Sequence, residues 1–128
     1  MPNIKILEKN LKTFCETINA DEVVLFERST FLVISNYESK KHEDQHRFEK
    51  ISNIIKQFKL SCIKTNYKFE SMVVKNQKFS AYVEGFTAST YIMIVVSDQT
   101  VEQEVIAMNI KASREYFESL VKSSHKKS

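Results

Sequence analysis

Apolar residues along the first 40 positions change period once, and that change marks the first elements. Over residues 4–19, Ile4, Leu7, Leu11, Phe14, Cys15 and Ile18 recur at three- and four-residue steps. At about 100° per residue they share a stripe roughly 100° wide, which predicts an amphipathic helix. Lys5, Lys9, Lys12 and Glu16 take its other face. Residues 23–28 and 30–37 are instead rich in β-branched and aromatic side chains. They predict an antiparallel hairpin turning across residues 27–30, without the Gly or Asn that usually supplies such a turn. Alternation puts Phe31 and Val33 on one face and Leu32 and Ile34 on the other, and it sets Val23 and Leu25 against Val24 and Phe26. Strands apolar on both sides need cover on both faces of their sheet.

A polar stretch, residues 38–45, precedes a second helix expected to end near Leu60. Phe48, Ile51, Ile55 and Phe58 mark its buried stripe, with Ile54 at the margin, and Glu43 and Arg47 have the spacing of a surface pair. Residues 69–75, 79–87 and 91–97 read as three more strands. The last is apolar on both faces and therefore central. The first carries Glu70, Ser71 and Lys75 and reads as an edge. Thr100-Val101-Glu102-Gln103 has the spacing of a capping box and opens a third helix running to about Val121. That helix bears two apolar stripes. Val101, Val105, Met108, Ala112 and Tyr116 form one; Ile106, Ile110, Phe117 and Val121 form the other. The order α-β-β-α-β-β-β-α predicts an α/β (α+β) sandwich, a five-stranded, mostly antiparallel sheet with helices on both faces. Residues 1–121 read as a single domain and residues 122–128 as a basic, flexible tail.

Composition narrows the chemistry. The 128 residues include one Gly and one Pro. A lone Gly85 cannot build a phosphate-cradling loop, because several glycines are needed for backbone amides to approach an anion. A net charge of +3 is too mild to argue for a nucleic-acid partner. Cys15 and Cys62 lie in apolar-patterned segments and read as packing residues, with thiols made inert by burial. No apolar run approaches the length of a membrane span and no leader pattern is evident, so a cytosolic or nuclear chain without direct membrane insertion is expected, cytoplasmic in the first place.

Two motifs invite chemical readings. His42-Glu43-Asp44-Gln45-His46 spells the H-E-x-x-H pattern of zinc hydrolases, in which two imidazoles bind metal and the glutamate acts as base. Lys40, Lys41 and Arg47 surround it, and the only other histidine is His125. We read it as the solvated start of a helix. The stretch Lys78-Phe79-Ser80-Ala81-Tyr82-Val83-Glu84 echoes an RNA-recognition strand but lacks its glycines and its third-position aromatic. With carboxylates scattered singly along polar faces, a binding or assembly role leads by elimination.

The blocks DEVVLFERSTFLVIS (residues 21–35) and HRFEKISNIIKQFKLSC (residues 46–62) resemble the C-terminal domain of Rag GTPases, and the A/B-type member of the pair more than the C/D-type. The resemblance implies a roadblock-type, longin-like domain with sheet order 2-1-5-4-3. Helices one and three would then cover one face and helix two the other. It implies a heterodimer with a C/D-type Rag subunit through the second helix and third strand, with a homodimer as substitute when the chain is isolated. Carried onto this chain, that surface is Asn53, Ile54, Gln57, Met72 and Val74. A Ragulator-like roadblock scaffold is the second implied partner, with Ile106, Ile110, Phe117 and Val121 as its contact. The family's GTP, GDP and magnesium belong to a separate N-terminal domain, so this stretch is expected to hold no cofactor and to catalyse nothing. The implied setting is amino-acid signalling to the target-of-rapamycin kinase complex, on the cytosolic face of the lysosome or vacuole. A longin-like trafficking adaptor would share the fold.

Overall fold

The computed structural model describes residues 4–39, 47–66, 71–75, 77–97 and 100–126. Its elements are α1 (Ile4–Thr17), β1 (Glu22–Glu27), β2 (Val33–Glu38), α2 (Arg47–Lys64), β3 (Ser71–Lys75), β4 (Ser80–Thr87), β5 (Thr90–Val96) and α3 (Gln103–Lys126). The strands form one antiparallel sheet in the order β2-β1-β5-β4-β3. β5 lies at its centre and is buried along its whole length.

Two apolar layers sandwich the sheet. Leu11, Phe14, Cys15 and Ile18 of α1, with Ile106 and Ile110 of α3, pack on Val23, Leu25, Tyr82, Phe86, Ile92 and Ile94. On the opposite face Ile54, Ile55, Phe58 and Cys62 of α2 meet Val24, Phe26, Val83, Tyr91, Met93 and Val95. Alternation along β1 and β5 feeds both layers at once, as strands apolar on both sides require.

Element ends differ from expectation for local reasons. α1 stops at Thr17 because Asn19 turns left-handed (φ 55°), and the Ala20 amide donates to the Cys15 carbonyl at 2.9 Å. β2 begins three residues late because Phe31 adopts φ 61°. Its amide donates to the Glu27 carbonyl at 2.8 Å, and its ring turns into the α2 layer. The Ser29 and Thr30 hydroxyls donate to the Glu27 carboxylate, fastening a turn made without glycine. α2 continues one turn past Leu60 and carries Cys62 inside it, where that side chain is buried beside the Tyr91 hydroxyl. α3 opens at Gln103, three residues after Thr100, with the Val105 amide donating to the Glu102 carbonyl. It then runs to Lys126, through residues expected to form the tail.

Cover over β2 is one-sided. β2 is an edge strand under α1 on one face, while on the other Val33, opposite Phe26, is 54% exposed and Asn36, opposite Val24, is exposed too. The expectation that both hairpin strands are covered on both faces holds for β1 and fails for β2. Among the described residues, no helix is long and apolar enough to cross a membrane.

Candidate docking surfaces

β3 forms the margin opposite β2 and, among the described residues, pairs only with β4, in the register Ser71 with Glu84, Val73 with Tyr82 and Lys75 with Ser80. Its outer row of backbone N–H and C=O groups faces away from the sheet, the usual template for a strand from another chain. Met72 and Val74 turn towards the α2 layer and are half-buried against it; Ser71, Val73 and Lys75 are exposed.

α2 covers the face of the sheet to which Met72 and Val74 turn. The Lys59 ammonium lies 5.8 Å from the Phe31 ring centre, which tips that side of the helix towards the β1–β2 turn. The opposite shoulder therefore faces β3. It carries Lys50, Asn53, Gln57 and Lys64, all exposed. Asn53 and Gln57, expected on the dimer surface, are exposed on this shoulder. Ile54, expected to face outward, is 6% exposed and packed in the α2 layer, so it belongs to the core. The resemblance does not point to the two lysines, although the seven-residue spacing Lys50–Gln57–Lys64 is visible in the chain. Leu60 and Ile63, 58% and 51% exposed, add apolar surface to the outer side of α2.

On α3 the two stripes exchange roles. Ile106 and Ile110, expected to meet a scaffold, are 1% exposed and hold α3 to the sheet. The reason is visible one turn on. Arg114 donates to the Gly85 carbonyl at 2.8 Å and lies 3.8 Å from the Glu84 carboxylate. That anchor on β4 fixes the neighbouring Ile106–Ile110 line inward. Phe117 and Val121 lie outside the described side chains. The stripe facing solvent is Val105, Met108, Ala112 and Tyr116, with Met108 72% exposed.

The chemical candidates are not assembled into a reaction centre among the described residues. Cys15 and Cys62 are both buried and unbridged. Burial pushes the Cys15 thiol above its ordinary value, a hydrogen bond with Ser39 only partly offsets this, and the Asp21 and Glu16 carboxylates push further upward. His42, Glu43 and His46 lie outside the described residues, and no group of three or more metal-ligating side chains occurs among those described. An open cleft of about 550 Å³ between the start of α3 and the β3–β4 edge sets Lys75 among Ser80, Tyr82, Glu102 and Glu104. Arg28 has a fastening role: its Nε donates to the carbonyls of Thr87 and Thr90 at 2.9 and 3.1 Å, and its guanidinium sits 4.5 Å from the Tyr91 ring centre.

Comparison with known proteins adds to this geometry. Residues 1–55 match the sequence family described as the Gtr1/RagA G protein conserved region. The chain is 51% identical over 123 residues to Ras-related GTP-binding protein A of Dictyostelium discoideum, covering 96% of this chain and 41% of that protein. It is 54% identical over 120 residues to Ras-related GTP-binding protein B of Rattus norvegicus, covering 94% and 32%. GTP-binding protein gtr1 of Schizosaccharomyces pombe is 46% identical over 121 residues, covering 93% and 39%. The chain therefore spans well under half the length of these relatives. Among solved structures, Myxococcus xanthus MglB superposes with a TM-score of 0.68 at 13% identity, over 94% of this chain and 98% of that one. A Roadblock/LC7 domain from Streptomyces avermitilis gives 0.59 at 15% identity, over 86% and 96%. These structural likenesses show the fold.

Proposed function

We propose that this chain, similar to the Gtr1/RagA GTP-binding proteins in sequence and to roadblock domains in fold, is the C-terminal roadblock-type domain of such a GTPase and works by assembly, as its dimerisation and scaffold-docking part. The open β3 margin, roofed by an exposed α2 shoulder, carries this reading. A C/D-type Rag roadblock domain adds its own third strand there and continues the sheet into a second subunit, so that both chains satisfy their edge amides and carbonyls together. The isolated chain uses the same margin, more weakly, for a second copy.

The outward α3 stripe of Val105, Met108 and Tyr116 lies on the other face and is the surface offered to a Ragulator-like scaffold. It takes the place of the buried Ile106–Ile110 line. Nucleotide and magnesium are handled by a separate G domain, since the single glycine of this chain provides no phosphate loop. The domain performs no chemistry. Its output is placement of the GTPase at the lysosomal or vacuolar surface for amino-acid signalling to the target-of-rapamycin kinase complex.

Light scattering of the chain mixed with a C/D-type Rag C-terminal domain should give a 1:1 complex. Amide exchange should slow along Ser71–Lys75 and stay unchanged along β2. A monomer with every such partner, or protection confined to β2, would remove the proposal.

A further inference from the structure

The basic character of this protein is concentrated on one helix. α2 carries Arg47, Lys50, Lys56, Lys59 and Lys64 against the single acid Glu49. Five against one is a net +4, more than the +3 of the whole chain, so everything outside α2 sums to −1. Two of these lysines share one side of α2. Lys50, Gln57 and Lys64 recur every seven residues and form one line down the helix, roughly 100–130° round from the middle of its buried stripe. Lys59, tipped towards Phe31, identifies the other shoulder, so this line faces the β3 margin, where Lys75 adds a further exposed lysine. Of the residues that flank the margin from above, Lys50, Asn53, Gln57 and Lys64, none is acidic.

We infer that this docking face selects its occupant by charge: it takes a subunit whose corresponding helix and edge strand are acidic, and it disfavours a second copy of itself. The inference rests on the β3 margin being the docking edge, and adds the rule by which partners are told apart. Two copies meeting edge to edge are related by a two-fold axis, which runs their α2 helices antiparallel. Centred on Gln57, that arrangement sets Lys50 of one copy against Lys64 of the other, at both ends of the contact. Shifting the register along this line brings lysine to lysine or to an amide, the one acid of the helix, Glu49, lying further round it. Like charges opposed in a drying contact oppose association, whereas carboxylates in those places would gain charge-assisted hydrogen bonds and faster encounter. The uncharged Asn53 and Gln57 between the lysines tolerate either partner, so discrimination falls on the two ends.

A charge-swapped copy tests the rule with no need of the natural partner. The Lys50→Glu/Gln57→Glu/Lys64→Glu variant, checked for native circular dichroism, is mixed with the wild-type chain, and the complexes are measured by analytical ultracentrifugation at 50 and 500 mM salt. The expected result is a mixed 1:1 complex at least tenfold tighter than either self-complex at 50 mM. That preference should collapse at 500 mM, because exposed charges are screened over a few ångströms there. Equal affinities for mixed and self-complexes, or wild-type self-association that tightens as salt is lowered, would overturn the charge rule. So would retention of the wild type, but not the variant, on phosphatidylserine vesicles with no mixed complex, since the lysine line would then serve a membrane. Amide exchange with the C/D-type domain separates the two levels. Protection of Ser71–Lys75 alongside a failed charge swap leaves the docking edge standing and removes only the selection rule; no protection by any partner removes both.

Discussion

Phe31 shows how one residue joins backbone geometry to the core. It sits at φ 61°, in a region that costs a residue with a Cβ about 1–2 kcal/mol, in a turn that contains no glycine. Its ring supplies the compensation, packed at 5.7 Å from Tyr91, 6.1 Å from Phe26 and 6.4 Å from Phe58 between ring centres. Truncation to alanine keeps the backbone cost and loses the packing, so Phe31→Ala should destabilise by about 3–4 kcal/mol. Phe31→Gly loses the same ring but is at ease with a positive φ. It should remain about 0.5–1 kcal/mol more stable than the alanine variant, the reverse of the order at an extended position. Urea midpoints of the two variants decide the matter. A glycine variant less stable than the alanine one would mean that the turn relaxes once the ring is gone. Nothing in alternation alone signals this residue, because a Phe beginning a β-branched run reads as strand. The late start of β2, and the exposure of Leu32 and Val33, follow from this one torsion.

Among the elements, α3 carries the clearest division between holding the fold and meeting a partner. Ile110 is 1% exposed against the sheet, while Met108, two residues away, is 72% exposed. A Met108→Lys change should leave thermal stability within about 0.5 kcal/mol, whereas Ile110→Lys buries a charge without a built-in partner and should cost several kcal/mol or prevent folding. If the outward stripe meets a scaffold, Met108→Lys should also abolish co-elution with a Ragulator-like complex while preserving the C/D-type heterodimer. Loss of both at once would place the two contacts on one surface. Helical periodicity displays both stripes of α3 equally well but is blind to which of them meets the sheet. That choice is made by Arg114 reaching Gly85, 29 residues away in the chain. Ile54 shows the same limit. Its place at the margin of the α2 stripe is legible, but its burial depends on where Met72 and Val74 come to lie. Asn53 and Gln57, polar on a helix face, are legible as outward residues and lie there. The elements and the two-sided character of β1 and β5 can be read from residue types alone; the strand order comes from family resemblance, since pairings such as Val24 with Met93 leave no local trace.

For the molecule as a whole, the central sheet is shared property of two cores. Ile92, Ile94 and Val96 of β5 serve the α1/α3 layer, while Tyr91, Met93 and Val95 serve the α2 layer. Neither layer can come away without exposing one full side of β1, β5 and β4, so the two should melt together. This bears on the proposed function, because α2 is at once the roof of one core and the wall of the margin proposed for docking. A partner that grips α2 then stabilises the entire domain through binding energy, as any ligand selective for the folded state does. Ile55→Val in the α2 layer and Ile92→Val on the opposite face each remove one buried methylene and should each cost about 1 kcal/mol. The two sites lie on opposite sides of the sheet and belong to different clusters, so the double variant should lose about 2 kcal/mol, additive within about 0.5 kcal/mol. Far-ultraviolet circular dichroism and tyrosine fluorescence should trace one urea transition in all four proteins, shifting together. Transitions that separate, with Ile55→Val moving only one of them, would show that the α2 layer opens on its own. In that event partner binding would stabilise the margin without stabilising the rest.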